Sequence, residues 1–163
     1  TLSWPTESYD DIDLYVKDPS NNVVHYRNKD AGLTNLDRDD LGRSNDTVVT
    51  ESGTFENLLN EEHVTIRGIL PGEYIVNAHW FSRSTTTIGK KGEVYVPSDQ
   101  VPVKIKIEKL NPYSLIYSGE EVLSTPGGEV TFLRFYVDKD GKVTKTNKLK
   151  YPMTLKGSQG DVP

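Results

Sequence analysis

Cysteine is absent from this 163-residue chain. That excludes disulfides, thiolate metal sites and cysteine nucleophiles, but leaves the compartment open, because cytosolic and exported proteins alike can lack it. Long apolar runs are missing too: no stretch approaches the ~18 consecutive apolar residues of a membrane helix, and no apolar segment opens the sequence. Thr1 in first position fits a removed initiator methionine, a cleaved leader or a trimmed chain equally well. Helical periodicity is scarce, and only Phe55 to Glu62 has the pattern of a short helical turn. The sequence has no Gly-x-Ser-x-Gly elbow, no Ser-x-x-Lys pair and no glycine-rich phosphate loop. His25, His63 and His79 fall on separate strand segments rather than at i, i+4 on a helix, so no zinc site is expected. The expectation is a protein without catalytic activity.

What is present suits a sheet. The hydrophobic fraction is a modest 34%, yet nine Tyr, four Phe and two Trp, with many Val and Ile, can furnish a β interior. The length fits one domain with a core of its own. The net charge of −5 is unevenly spread: residues 1–62 hold fourteen acids against five bases, and residues 63–163 ten against fourteen. The basic excess is interleaved along strands, as in Lys104, Lys106 and Lys109, or scattered over Lys139 to Lys150. That is the pattern of a solvated sheet face rather than a basic stripe with aromatic platforms, so no nucleic-acid partner is expected.

Strands recur at roughly ten-residue spacing. In Val101 to Leu110, the residues Val103, Ile105 and Ile107 alternate with Lys104, Lys106 and Glu108, a half-buried strand with one wet face. Val64 and Ile66 alternate with His63, Thr65 and Arg67. Leu70-Pro71-Gly72-Glu73 reads as a type II turn leading into Tyr74 to Phe81, in which Tyr74, Val76, Ala78 and Trp80 share a face, and Trp80 is expected in the core. His79 falls on the opposite face with Asn77 and Phe81 and is expected at the surface or an interface. Val130 to Val137, Asp138-Lys139-Asp140-Gly141-Lys142 and Val143 to Thr146 read as a hairpin. Ser82 to Gly92 is expected to be a loop and Pro97 to Pro102 a connector. The pattern predicts an all-β, antiparallel β-sandwich, of jelly-roll or immunoglobulin-like topology, over residues 1–156, with 157–163 as a flexible C-terminal tail.

Two acidic clusters stand out. Asp11 and Asp13 alternate with Ile12, Leu14 and Val16, and so share with Tyr15 the face turned away from the core. Asp37, Asp39 and Asp40 form the second cluster, in Leu36-Asp37-Arg38-Asp39-Asp40-Leu41-Gly42. Asp37, Asp39 and Gly42 match positions one, three and six of an EF-hand loop, but Leu41 and Val48 break the pattern and no flanking helices are predicted, which excludes an EF-hand. If the fold brings the clusters together, five carboxylates meet, and a hard, oxygen-preferring cation such as calcium relieves their repulsion. The competing reading is an Asx-turn loop whose acids cap their own backbone and pair with Arg38 and Arg43.

Three motifs in order, Asp11-Ile12-Asp13-Leu14-Tyr15-Val16-Lys17-Asp18-Pro19, the Asp37 loop and Pro71-Gly72-Glu73-Tyr74-Ile75-Val76-Asn77, resemble the calcium-associated sandwich modules related to prepeptidase C-terminal domains. With Ala78-His79-Trp80 and Val101-Pro102-Val103-Lys104 added, the chain is most similar to small proteins encoded among tailed-phage structural genes, over about residues 10–107. The resemblance implies metal ligands at Asp11, Asp13, Asp37, Asp39 and Asp40, calcium as the ion, and a virion component: a head decoration, tail or fibre-associated sandwich that contacts capsid or tail proteins. Homo-oligomerisation is left open. Tyr15, Tyr113, Tyr117 and the C-terminal tail are the expected contacts. Arg38 and Arg43 inside the acidic loop depart from the exported calcium modules and turn the expectation toward the virion. The alternative is an extracellular, calcium-dependent module that binds carbohydrate or a cell surface.

Overall fold

The computed structural model describes residues 1–5, 8, 10–38, 47–50, 53–56, 60–81, 87–88, 94–95 and 100–154. Within them the chain is all-β, and the strands are β1 (Leu2–Trp4), β2 (Asp11–Lys17), β3 (Val23–Val24), β4 (Asp30–Ala31), β5 (Thr34–Arg38), β6 (Thr47–Thr50), β7 (Gly53–Glu56), β8 (Asn60–Ile66), β9 (Gly72–Phe81), β10 (Thr87–Ile88), β11 (Val94–Tyr95), β12 (Val101–Lys109), β13 (Ser114–Leu123), β14 (Glu129–Val137) and β15 (Val143–Asn147). A six-stranded sheet in the order β13-β12-β1-β8-β5-β4 packs on a five-stranded sheet in the order β15-β14-β9-β2-β3. All pairings are antiparallel, and β6–β7 and β10–β11 are separate two-stranded ribbons. This is the expected β-sandwich.

One core lies between the sheets. Ile12, Leu14 and Val16 of β2, Tyr74, Val76, Ala78 and Trp80 of β9, and Phe132, Leu133 and Phe135 of β14 meet Leu2 and Trp4 of β1 and Val101, Val103 and Ile105 of β12. Trp80 is in this core, as its face predicts. Of the helical turn expected over Phe55 to Glu62, the described residues 55–56 and 60–62 are strand instead, and 57–59 lie outside the described residues. Gly53–Glu56 pairs with β6, and β8 starts at Asn60, because its first residues pair with β1 while His63 to Ile66 pair with β5. Within the expected loop Ser82 to Gly92, Thr87 and Ile88 pair with β11, and Val101 and Pro102, where the expected connector and the expected strand overlap, belong to β12. Residues 82–86, 89–92 and 97–99, and the tail over 157–163, lie outside the described residues.

The hairpins gather at one end. Gly72 takes φ +130, and a Cβ there would come within 2.7 Å of Pro19 in the β2–β3 turn, so the Pro-Gly turn needs glycine for contact as well as conformation. In the β14–β15 turn, Asp138 Oδ1 accepts from the N–H groups of Asp140 and Lys142, each at 2.9 Å, and Gly141 takes φ +81.

A segment from Leu149 to Thr154 crosses the outer face of the five-stranded sheet. Tyr151 N donates to Thr131 Oγ1 at 3.0 Å, and its carbonyl accepts from Asn77 Nδ2 at 2.8 Å. Glu129 Oε2 accepts from Met153 N at 2.8 Å and also from Asn77 Nδ2. Glu129 Oε1 accepts from Thr154 N at 3.1 Å and Thr154 Oγ1 at 2.6 Å. Met153 packs on Tyr15 and Ile75, while Lys17 and Arg134 lie against the Tyr151 ring at 5.2 and 5.3 Å.

Candidate metal centre and contact surface

The acidic site grows from an incomplete strand pairing. Along one edge β2 pairs with β9 over its whole length, but along the other β3 reaches only Val16 and Lys17. The backbone amides of the first half of β2 on that edge need other acceptors. Leu14 N finds one in the opposite sheet: it donates to Glu62 Oε1 of β8 at 2.8 Å. This draws a fully buried glutamate to the margin of the sandwich, beside Asp11 and Asp13. Each of the three offers a carboxylate oxygen, and these oxygens lie within 4.8 Å of one another. Asp11 is 8%, Asp13 2% and Glu62 0% exposed.

Three carboxylates at this spacing, removed from water, repel strongly, and a cation or basic partner relieves that repulsion. The separation also suits a hard cation, since oxygens bound to one calcium at about 2.3–2.6 Å lie no more than about 5 Å apart.

The structure therefore brings Asp11 and Asp13 together, with Glu62 as a third acid that the sequence reading missed. The signal was present: Asn60, Glu62 and Val64 share the inward face of β8, and an acid at a core-facing strand position calls for a specific partner. The helical reading of Phe55 to Glu62 concealed it. Asp37 is elsewhere. It is exposed at the irregularity where Leu36 faces Val64 and Arg38 faces His63, and it accepts from Thr65 Oγ1 at 2.6 Å. Asp39 and Asp40 lie outside the described residues.

The face carrying Asp11, Asp13 and Tyr15 is opposite the core, as expected, but it is not wet. All three side chains are buried, and Tyr15, expected as an exposed contact, lies under Met153 and stacks on His25 at 4.8 Å between ring centres. Burial raises its phenol pKa, with the Asp13 carboxylate adding to the effect. His79, expected at the surface or an interface, sits in register between Asp13 and Glu129 and is half-buried. Desolvation lowers its pKa, against opposing effects from Glu129 and the Gly127 backbone. His25 is lowered in the same way, first by desolvation and then by Arg27.

A second region carries no acids in common with the first. At the hairpin end, Ile69 is 52%, Leu110 68%, Tyr113 60% and Leu115 52% exposed. They flank a groove of about 350 Å³ lined by Lys109, Leu115, Ile116, Gly141, Lys142 and Val143. Gly141 is in contact with Ile69: a Cβ there would come within 2.5 Å of its Cδ1. Tyr113 is thus exposed as expected, whereas Tyr117 is half-buried against the core with Lys148 Nζ 5.2 Å from its ring. No family model matches this chain, and no curated protein or solved structure matches it.

Proposed function

We propose that this chain is a non-catalytic structural or accessory protein of a phage virion, a head-decoration, tail or fibre-associated component that works by contact with other capsid or tail proteins. The observation that carries the reading is the hairpin end, where Ile69, Leu110, Tyr113 and Leu115 hold large apolar side chains in water beside Lys109 and Lys142. Clustered exposed apolar groups with a charged rim are what a protein contact site offers. The sequence resemblance to proteins encoded among tailed-phage structural genes supplies the kind of partner. Copurification with virions at a fixed copy number is expected, and absence from purified particles refutes the reading. A Tyr113→Ala and Leu110→Ala double variant should reduce that occupancy while leaving the melting temperature close to that of the parent, because both side chains are solvated.

In this reading Asp11, Asp13 and Glu62 hold one structural cation, which we assign as calcium because the donors are all carboxylate oxygens. Its place at the margin of the two sheets suits a clamp between β2 and β8. Melting temperature should rise when millimolar calcium replaces EDTA, and Asp13→Asn should remove the rise. No difference between calcium and EDTA would leave the trio as a purely protein-satisfied cluster. The alternative carbohydrate-binding reading has less to stand on, since Trp80, its strongest aromatic, is 1% exposed.

A further inference from the structure

Four strands end the two sheets: β13 and β4 in the six-stranded sheet, β15 and β3 in the five-stranded one. Three of them are blunted in the ways that keep sheet edges from pairing with other chains. β3 and β4 have two residues each, and β15 has five with Lys145 at its middle. β13 is the exception. It runs ten residues from Ser114 to Leu123 without a lysine, arginine or proline, and it holds Val122 53% exposed.

Ladder parity shows which backbone groups of β13 are free. Lys106 N donates to Thr1 O at 2.9 Å, so the N–H and C=O of Lys104 and Lys106 face β1, and those of Val103, Ile105 and Ile107 face β13. Their partners across that ladder are Glu121, Gly119 and Tyr117. The backbone groups of Ser118, Glu120 and Val122 therefore point away from β12, and among the described residues no strand takes them up. The side chains of the same three residues are exposed on the outer face of the sheet, with Lys104 beside Glu120. Toward the start of β13 the phase changes at Ile116, the extra residue between Leu115 and Tyr117.

We propose that this edge pairs with the same edge of a second copy of the chain, antiparallel about a two-fold axis at Gly119, so that two six-stranded sheets become one continuous sheet. The side chains select the register. With Gly119 opposite Gly119 of the second copy, Ser118 is opposite Glu120 of the second copy and can donate to its carboxylate, twice by symmetry. Val122 then lies beside Ile116 of the second copy, and apolar groups meet apolar groups. A shift of the register in one direction puts Glu120 opposite Glu120, like charges directly across the ladder. A shift in the other direction puts Ser118 opposite Ser118, sets Glu120 beside the apolar bulge and leaves Val122 unmatched. The pairing goes beyond the contact reading, whose Leu110 and Tyr113 lie outside the paired segment.

Sedimentation equilibrium of the full chain tests the association. The mass should rise from 18.3 kDa toward twice that value as concentration increases from ~1 μM to ~1 mM, the range in which a modest interface dissociates. Glu120→Pro removes an N–H directed away from β12, and Val122→Lys puts a charge on the edge. Each should raise the dissociation constant by at least about tenfold and leave the melting temperature at low concentration unchanged. Disulfides read the register, since the chain has no cysteine of its own. Ser118→Cys and Glu120→Cys chains, mixed and oxidised, should cross-link at least about tenfold faster than either alone, because the unlike positions face each other at about 5.5 Å between Cα atoms while like positions lie beyond the ~7 Å limit. A mass that stays at the monomer value up to ~1 mM, association undiminished in either variant, or cross-linking of one cysteine variant alone as fast as the mixture overturns the proposal.

Discussion

The two sheets of the sandwich treat their outer faces differently. In β12 of the six-stranded sheet, Val101, Val103 and Ile105 are buried while Lys104 and Lys106 are exposed. In β2 of the five-stranded sheet, all residues from Asp11 to Val16 are buried. Both strands alternate polar and apolar residues, so the difference comes from what lies above them. Water covers β12. The segment carrying Tyr151 and Met153, with His25, covers β2. Alternation thus assigns a residue to a side of the sheet, and only the tertiary fold decides whether that side is wet.

The largest effect that sharpens this comparison comes from the shared core. Leu14 is 2% exposed and packs in the interior from the β2 side. Leu14→Ala should cost about 2–5 kcal/mol, the usual range for a buried leucine truncation, read as a fall in the urea midpoint at constant slope. A cost near zero would mean that the two sheets do not share one cooperative core.

Next in size is the clasp that makes the outer face of the five-stranded sheet different. Glu129 accepts from Asn77, Met153 and Thr154. Glu129→Ala leaves those donors without their acceptor at a partly buried site, at a cost of about 2–3 kcal/mol. Hydrogen exchange at Met153 and Thr154 should speed up before that of the core strands, because only the strap loses its anchor. Equal acceleration throughout the sheet would show that the strap is not a separable element.

The same contrast explains how far the sequence could be read. The fold class, the β12 faces, the Asp138–Lys142 hairpin and the core position of Trp80 rest on local pattern, and each stands in the structure. The cover over Tyr15 and Asn77 comes from Tyr151 and Met153, far along the chain, and has no local signal. Glu62 was hidden for a related reason. Its partner is the backbone N–H of Leu14 in the other sheet, which no periodicity reveals. Asp11 and Asp13 were legible as a pair because they are two residues apart on one strand. Whether Asp37 lay beside them depended on which face of β5 it occupied, and the irregularity there turns it outward to Thr65.

A smaller effect separates the covered face from the wet one by pH. His79 and His25 both have folded-state pKa values below the ordinary 6.5, chiefly through desolvation. The unfolded chain then takes up protons first as pH falls, so stability is fully present above the unfolded value and declines between it and the lower folded value. The charged neighbours identified are Glu129, which favours the protonated form of His79, and Arg27, which disfavours that of His25. Melting temperature should drop from pH 7 to pH 5, and His79→Gln should shrink the drop. An unchanged pH slope in the variant would mean that His79 protonates as easily folded as unfolded.

The smallest effect belongs to the wet face itself. Lys104 is exposed on β12 with Glu120 opposite it on β13. Two long, solvated side chains gain little by pairing, because water screens the attraction and fixing the pair costs rotamer entropy. Lys104→Ala should therefore change stability by no more than about 0.5 kcal/mol, while truncation of Val103 to alanine, one residue away on the buried face, should cost several times as much. Comparable losses at the two positions would mean that something covers β12 as the strap covers β2. Both variants, assayed by the same denaturation curve, decide whether the outer face of the six-stranded sheet is open to water.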